Sequence, residues 1–266
     1  MHHALVRVLE PLWERSFIHH SYACRKEKGT HRALEACSRF ARRYAWVLRA
    51  DVRKFYPSVD HEILLGLLRR RVRSGPVLNV IERILSVGDG ERAPLSYFPG
   101  DDLFSPVERA RGLPIGNLTS QFFANVYLDA VDHHMTDDPG FGAYVRYMDD
   151  VFVFGETRER VQAARNALQE CLESLRLRLH PGKRNLIPCA EGIPFLGFRV
   201  FPDHRSSARR AQDAACRNQG LYGGLERAGC AGSMESARVL GRGRPGPISG
   251  RCVRAGQASL LVTSAR

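Results

Sequence analysis

The chain has 266 residues, 44% of them hydrophobic, and its 40 lysines and arginines against 28 acidic residues give a formal net charge of +12. This composition is typical of a globular protein with a hydrophobic core, and it excludes a fibrous or wholly disordered chain. No run of about 20 apolar residues could span a membrane and no apolar secretory signal begins the chain, so a cytoplasmic protein is expected.

The first half of the chain predicts one strand and then a series of helices. Residues 46–51 form a β-rich run that ends in an acid. Asp60 is a typical N-cap, so a helix is predicted after it, and a second amphipathic helix follows Pro76. Residues 88–111 are rich in Gly, Pro and Asp and predict a long loop or hairpin. The next helix is expected to begin at residue 117 or 119 and to run to about residue 134.

The second half predicts strands around one further helix. Residues 143–148 and 151–154 are two β-rich runs joined by a tight turn with two acids. A helix is predicted over about 157–175. Three leucines that alternate with arginine at 175–179 predict a strand, and residues 193–201 predict another. This order favours the α+β class, with an antiparallel sheet covered by helices on one face.

Residues 205–266 differ in composition from the rest of the chain. They contain 11 Arg, 10 Gly, 10 Ala and 7 Ser, no Lys and a single aromatic residue. Such a segment buries too little apolar surface to offset the entropy lost on ordering. One hypothesis is a disordered Arg/Gly-rich arm that binds RNA. The alternative, which we favour, is the out-of-frame product of a GC-rich gene, and translating the other two reading frames distinguishes them.

Three carboxylates are candidates for a metal site. Asp51 ends one predicted strand, and Asp149 and Asp150 lie in the turn between two others. If these strands are neighbours, the acids converge at one edge of a sheet, where they repel one another unless a hard cation such as Mg²⁺ neutralises them. Such a site suits phosphoryl transfer with two metal ions. The alternative is that the paired acids only form a hairpin turn.

The sequence around these acids resembles the motifs of reverse transcriptases. Tyr147-Met148-Asp149-Asp150, between two hydrophobic β runs, resembles the catalytic motif of that family. Residues 51–61 (DVRKFYPSVDH) look like the first palm motif of its bacterial members, and residues 112–121 (GLPIGNLTSQ) look like the motif between the two. Residues 22–30 resemble the fingers motif of the family, residues 179–183 its basic motif and residues 195–198 its primer grip. The resemblance covers about residues 2–204.

The resemblance implies a right-hand polymerase fold with a palm and partial fingers. Residues 1–45 would be partial fingers and residues 46–204 the palm, with a fingers-like insertion at about 61–111. Residues 205–266 would be the disordered or out-of-frame tail. Because family members usually carry more fingers before this region and a helical thumb after it, the chain is expected to be a fragment that lacks both.

The resemblance also implies a metal site. Asp51 and Asp149 would be the main ligands of two Mg²⁺ ions, with help from Asp150 and from the backbone carbonyl of Val52. Lys183 resembles the palm lysine that gives a proton to the departing pyrophosphate.

Further residues would bind the incoming nucleotide. Tyr56 would lie beneath the sugar, where its ring excludes a 2′-hydroxyl group; the alternative is a plain core aromatic residue. Arg25 and Lys28 would contact the triphosphate, and the alternative is a solvated run of charge.

The middle motif and the primer grip complete the implied site. Ile115, Gly116 and Gln121 would lie near the nascent base pair, and Phe195, Leu196 and Gly197 would form the primer grip. Many family members carry Gln where this chain has Ile115. The loss of that amide predicts low fidelity. The pattern resembles the reverse transcriptases of diversity-generating retroelements more than those of group II introns or retrons.

The sequence therefore predicts an RNA-directed DNA polymerase that uses two Mg²⁺ ions, although a truncated copy could lack activity. Its expected partners are an RNA template, a DNA or RNA primer and deoxynucleotides, with a basic accessory protein if the diversity-generating type applies and with no membrane. The alternative function is a non-catalytic RNA-binding remnant of such an enzyme. An RNA-dependent RNA polymerase conflicts with the bulky side chain of Tyr56.

Overall fold

Helices and antiparallel strands alternate along the part of the chain that the computed structural model describes, residues 1–86, 95–114, 116–182 and 185–207. The helices of these residues are α1 His2–Glu14, α2 Thr30–Arg43, α3 Phe55–Ser58, α4 His61–Arg69, α5 Gly75–Ser86, α6 Ser105–Glu108, α7 Leu118–Asp137 and α8 Arg158–Ser174. The strands are β1 Trp46–Asp51, β2 Ala143–Tyr147, β3 Asp150–Gly155, β4 Asn185–Pro188, β5 Ile193–Phe195, β6 Phe198–Val200 and β7 Arg205–Ser207. None of the described helices is both long and apolar enough to cross a bilayer.

Four strands form the main antiparallel sheet, in the order β2-β3-β1-β4. β1 and β3 are central, and they pair from Trp46 opposite Gly155 to Asp51 opposite Asp150. Both strands are apolar at most positions, as strands buried on both faces require. At one end of this central strand pair, two carboxylates therefore stand directly opposite each other.

Both faces of the main sheet are covered. One face carries Leu48 and Val153 and packs against α7 and α8, which confirms the α+β class with helices against an antiparallel sheet. The opposite face carries Val47, Phe152 and Phe154, and α2 and the second sheet, β5-β6-β7, pack against it. The sequence did not predict this second layer. The described residues all belong to one unit, Met1–Gln219, and the division into fingers and palm stays a prediction.

The predicted helix starts agree with the structure where a cap defines them. The Asp60 side chain accepts a hydrogen bond from the Ile63 N–H at 3.2 Å and begins α4. Thr157 accepts from the Arg160 N–H at 3.3 Å and begins α8. α7 begins after Asn117 and is buried around most of its circumference, as expected of a helix without a clear polar face.

Two of the predicted strands were wrong. Leu175 is the C-cap of α8 and Arg176 has a left-handed φ of 55°, so residues 175–179 form no strand; only Leu179 makes an isolated bridge, to Val52. The run 193–201 is not one strand but the hairpin β5-β6. Its two turn residues, Leu196 and Gly197, have φ angles of 48° and 79°, the geometry of the tight turns that match strand twist.

Other segments add elements that the sequence did not indicate. β4 pairs with β1 at the edge of the main sheet, and α6 forms a single turn within the predicted loop 88–111. β7 pairs with β6, so the first three residues of the predicted tail belong to a sheet. The rest of that tail, 208–266, lies outside the described residues, as do residues 87–94.

Candidate active site

The three predicted acids lie at one end of the central strands. Asp51 is the last residue of β1 and stands opposite Asp150, the first residue of β3. Because paired residues on an antiparallel ladder point to the same face, both carboxylates project from the face that α2 and β5-β6 also cover. Asp149 belongs to the two-residue turn between Tyr147 and Asp150, which are themselves paired. The predicted convergence of the strands that carry the acids is therefore present in the backbone.

A left-handed residue shapes the turn that presents Asp149. Met148 has a φ of 56°, a conformation that costs roughly 1–3 kcal/mol for a residue with a side chain. The guanidinium of Arg146 donates a hydrogen bond from Nη1 to the Met148 carbonyl at 3.1 Å, so a buried side chain holds the turn in place.

Arg146 is itself fixed by a buried network. Its Nε and Nη2 donate to the two carboxylate oxygens of Asp132 at 2.6 Å each, and neither side chain is exposed to solvent. Tyr144 donates its hydroxyl to Asp132 at 2.8 Å. Burial alone would lower the pKa of Arg146, but the adjacent Asp132 raises it, so the guanidinium stays charged.

The same network reaches the N-terminal segment. Arg146 Nη1 donates to Asn125 Oδ1 at 3.1 Å, and Asn125 Nδ2 donates to the Ala23 carbonyl at 3.0 Å. The Arg146 backbone also pairs with this segment, through the Tyr22 N–H and the His20 carbonyl. The acidic turn and the predicted fingers motif are therefore tied together through one residue.

The backbone next to Asp51 is also held. The Asp51 carbonyl accepts from the His180 N–H and the Arg53 N–H donates to the Arg178 carbonyl, both at 2.8 Å. These two bonds flank Val52, so the N–H and carbonyl of Val52 point the other way, toward the side on which β3 lies. This orientation fits the predicted role of the Val52 carbonyl as a metal ligand.

The donor set fits Mg²⁺, which prefers a few carboxylates together with substrate phosphates and water. In the described residues, no three side chains of His, Cys, Asp or Glu are close enough to hold an ion by themselves. The hard oxygen donors of the three acids thus suit an ion that also binds a triphosphate better than a closed protein cage. Arg49, two residues before Asp51, lies 4.0 Å from Asp150 and supplies one local positive charge.

Tyr56 lies beside the acidic turn. Its hydroxyl is 3.9 Å from the sulfur of Met148. Burial raises the pKa of Tyr56 to about 12, with smaller contributions from Cys24 and Asp149. The ring is half-buried and packs against the Phe55 ring, with centroids 5.5 Å apart. The role of Tyr56 beneath the sugar of an incoming nucleotide stays a prediction.

The two basic residues of the predicted fingers motif differ. Arg25 is buried, forms an ion pair with Glu14 at 2.7 Å and donates to the carbonyls of Ile18 and Ser21. Its guanidinium is therefore engaged within the N-terminal segment, which argues against the predicted triphosphate contact. Lys28 donates to the His19 carbonyl at 2.8 Å, and burial lowers its pKa. Its side chain remains the more accessible of the two.

The predicted middle motif is only partly described. Gly116 has a φ of 95° and open space around its Cα, and Gln121 lies in the first turn of α7, half-exposed. Ile115 and Lys183 lie outside the described residues. Among the described residues of the basic segment, His180 donates its backbone N–H to the Asp51 carbonyl at 2.8 Å.

The predicted primer grip is the tight β5-β6 hairpin. Phe195 is buried, and its ring lies 4.5 Å from that of Phe152 and 6.3 Å from that of Tyr147. Leu196 and Gly197 form the turn. The hairpin is therefore anchored on the face of the main sheet that carries Asp51 and Asp150.

The buried network was missed from the sequence. Its signal was an arginine in the apolar run 143–148, because a buried guanidinium requires a carboxylate partner. Helix α7 carries three acids, Asp129, Asp132 and Asp137, and the sequence does not distinguish Asp132 from the other two.

Comparisons with known proteins agree with this geometry. The family model described as "Reverse transcriptase (RNA-dependent DNA polymerase)" matches residues 1–200. The chain is 25% identical to Protein YkfC of Escherichia coli (strain K12), over 74% of this chain and 59% of that protein. It is also 25% identical to the group II intron-encoded protein LtrA of Lactococcus lactis subsp. cremoris, over 47% of this chain and 19% of LtrA. The chain thus spans less than two thirds of the length of either relative.

A solved structure supports the fold. Telomerase from Candida albicans, in complex with a fragment of telomeric RNA, superposes with a TM-score of 0.53 at 14% sequence identity. The match covers 77% of this chain and 37% of that one. At this identity the likeness concerns the fold alone.

Proposed function

The chain belongs to the reverse transcriptase (RNA-dependent DNA polymerase) family, of the group II intron-like type, and from this premise we propose that it extends a primer with deoxynucleotides on an RNA template. The proposed partners are the RNA template, a DNA or RNA primer and deoxynucleoside triphosphates. The reaction is nucleotidyl transfer: the primer 3′-hydroxyl attacks the α-phosphorus and pyrophosphate leaves.

The observation that carries the proposal is the pairing of Asp51 with Asp150 beside the turn that holds Asp149. These three carboxylates, with the carbonyl of Val52, would hold two Mg²⁺ ions. When bound, the ions lower the pKa of the attacking hydroxyl and stabilise the leaving oxygen. The protein's own contribution is to fix the acids in position, which Arg146 does for the turn.

Other residues would bind and orient the substrates. Lys28 would contact the triphosphate, Tyr56 would exclude a 2′-hydroxyl, and Gly116 and Gln121 would lie near the base pair. Lys183 would give a proton to the departing pyrophosphate. The hairpin turn at Leu196 would hold the primer strand. The relatives include a group II intron-encoded protein, whereas the sequence placed the diversity-generating type first; that type, and the low fidelity that depends on Ile115, stay predictions.

Primer extension on an RNA template with Mg²⁺ tests the proposal. Asp149→Asn keeps the size of the side chain but removes its charge, and it should lower the extension rate at least about 100-fold. The matched control is Asp137→Asn, because that carboxylate is 76% exposed at the end of α7. Extension by Asp149→Asn at the rate of the control would contradict the proposed metal site.

The second candidate function is RNA binding without catalysis. It is favoured by a cleft lined by five arginines, whose N–H donors can contact RNA phosphates without the three acids. An unmodified chain that binds RNA but extends no primer, with Mg²⁺ present, would select this function.

A further inference from the structure

A cleft next to the strand that carries Asp51 is lined by five arginines. They are Arg53, Arg109, Arg111, Arg176 and Arg178, and two serines and a phenylalanine complete the lining. Among the residues that the structure describes, none of those lining the cleft is acidic. A concave surface with this lining presents many N–H donors, which suits an anion with several oxygen atoms.

Part of this positive charge has a structural role. Asp60 is fully buried, and it forms ion pairs with Arg109 at 3.2 Å and with Arg176 at 2.7 Å. Arg176 also pairs with Glu62, and Arg109 with Asp101. Two of the five arginines therefore stabilise buried or nearby acids. Arg178 makes a looser pair, 3.8 Å from the partly exposed Glu173, and Arg53 is exposed.

One N–H donor of Arg109, at Nη1, takes no part in these ion pairs. Its side chain is only 8% exposed, and among the described residues its Nη1 is a buried nitrogen without a hydrogen-bond partner. A buried unsatisfied donor on a charged group costs free energy, which an anion in the cleft would recover. This is an observation independent of the arginine count, and it points to a ligand.

The remaining arginines are held at the edge of the cleft. The Arg53 N–H donates to the Arg178 carbonyl at 2.8 Å, which keeps the two residues side by side. The Phe98 ring lies under two guanidiniums, 5.0 Å from that of Arg178 and 5.7 Å from that of Arg109. The Arg178 side chain is held by this ring, by the Tyr97 carbonyl, which accepts from its Nη2 at 2.6 Å, and by Glu173 at 3.8 Å.

The crowding of positive charge is also visible at Arg111. Burial lowers the pKa of this arginine, and the charge of Arg109 lowers it further, whereas Asp60 acts in the opposite direction. An anion would relieve this mutual repulsion.

We propose that this cleft is an anion site that binds a phosphate group through Arg53, Arg109 and Arg178. The phosphate could belong to the backbone of a bound polynucleotide or to free pyrophosphate. The site is separate from the residues proposed above for the triphosphate. Because its test is equilibrium binding, its failure is distinguishable from a failure of the polymerase proposal.

The test uses Arg53→Gln, Arg178→Gln and the double variant in the full 266-residue chain, without Mg²⁺. Arg53 is exposed, so its replacement should leave the fold intact, which far-ultraviolet circular dichroism and thermal melting check. Arg109 and Arg176 are left unchanged because they pair with the buried Asp60. The matched control is Arg160→Gln, which removes a 59% exposed arginine from α8.

Two probes distinguish the sources of the phosphate. The first is a labelled single-stranded RNA, titrated over a series of salt concentrations; the second is inorganic pyrophosphate, followed by calorimetry. If the phosphate belongs to a polynucleotide, the double variant should bind RNA about tenfold more weakly. The slope of log K against log salt should also fall by about 0.7 in magnitude, the value of one phosphate contact on a single strand.

If the phosphate is free, the double variant should lose at least about tenfold in pyrophosphate affinity while RNA binding stays unchanged. The proposal is overturned if neither affinity changes by more than in Arg160→Gln. It is equally overturned if the control loses as much as the double variant, or if the unmodified chain binds neither probe.

Discussion

At the scale of single residues, Tyr56 is the side chain whose position predicts a substrate preference. Its hydroxyl lies 3.9 Å from the Met148 sulfur, next to the turn that presents Asp149. A nucleotide whose phosphates approach these acids would place its sugar over the ring, where a 2′-hydroxyl collides with it. We expect Tyr56→Ala to raise ribonucleotide incorporation relative to deoxynucleotide incorporation by at least about tenfold, since one methylene-sized clash is worth about 1–3 kcal/mol.

The control is Tyr56→Phe, which keeps the ring and removes only the hydroxyl. It should retain the discrimination of the unmodified chain in single-nucleotide extension assays. Equal sugar selectivity in all three proteins would assign Tyr56 to the core instead.

A second residue, Asp129, predicts a pH dependence of stability. Burial raises the pKa of Asp129 to about 6, with a further contribution from Asp132 and opposite ones from His133, Arg146 and Arg71. The folded state thus binds a proton more tightly than the unfolded state, so this residue destabilises the fold increasingly as the pH rises from about 4 to about 6. Above that range the full cost persists.

Asp129→Asn should therefore raise the melting temperature at pH 7.5 and change it little at pH 4. Thermal unfolding of both proteins between these pH values measures the difference, which should grow through the window from about 4 to 6. A difference that is constant with pH, or one that is largest in acid, would contradict the assignment.

At the scale of elements, the pair Arg146–Asp132 joins β2 to α7 and sets the geometry of the acidic turn. Both side chains are fully buried, so the loss of one partner leaves an uncompensated charge. We expect Arg146→Met and Asp132→Leu each to lower the free energy of unfolding by about 3–5 kcal/mol. The double variant should lose less than the sum, because it leaves neither charge alone.

Urea denaturation of the four proteins measures this coupling. Arg146→Lys adds a functional readout: it keeps the charge but cannot make the forked contact with Asp132 and also reach Met148. It should lower the maximal extension rate by a larger factor than it changes the KM for deoxynucleotide. Additive losses of stability in the cycle would show that the two side chains do not act as a pair.

The strand that carries Asp51 and the helices that begin at Asp60 and Thr157 were predictable because nearby residues in the sequence specify them. The apolar run 46–51 and the capping residues Asp60 and Thr157 each specify their element from neighbouring residues alone. The alternation of leucine and arginine at 175–179 predicted burial correctly, but the left-handed Arg176 prevents a strand. Apolar residues at every second position indicate which side chains are buried, but they do not by themselves specify the hydrogen bonds of a strand.

The site was predictable in part for the same reason. The position of Asp149 follows from a short motif, whereas the support for its turn comes from Asp132 and Asn125, which are distant in sequence. Likewise, the engagement of Arg25 depends on Glu14 in the preceding helix. Contacts of this kind depend on how elements pack, and a motif does not contain that information.

At the scale of the whole molecule, the net charge is unevenly distributed. Residues 205–266 carry 11 arginines and 3 acids, a net charge of +8, which leaves +4 for residues 1–204. Bulk charge alone is therefore a poor argument for nucleic-acid binding by the described residues. The local features that favour nucleic-acid binding are the acidic turn and the arginine-lined cleft.

The last prediction concerns the linkage between Mg²⁺ and the stability of the molecule. A ligand that binds the folded chain but not the unfolded chain raises the free energy of unfolding by RT ln(1 + [L]/Kd), which is about 1.4 kcal/mol at tenfold excess over Kd. Mg²⁺ should therefore raise the melting temperature by about 3–5 °C, in comparison with NaCl of equal ionic strength. Asp149→Asn should abolish this shift. Without Mg²⁺ the variant should be no less stable than the unmodified chain, because one of three neighbouring negative charges is gone. Equal shifts in Asp149→Asn and the unmodified chain would locate the stabilising ion elsewhere.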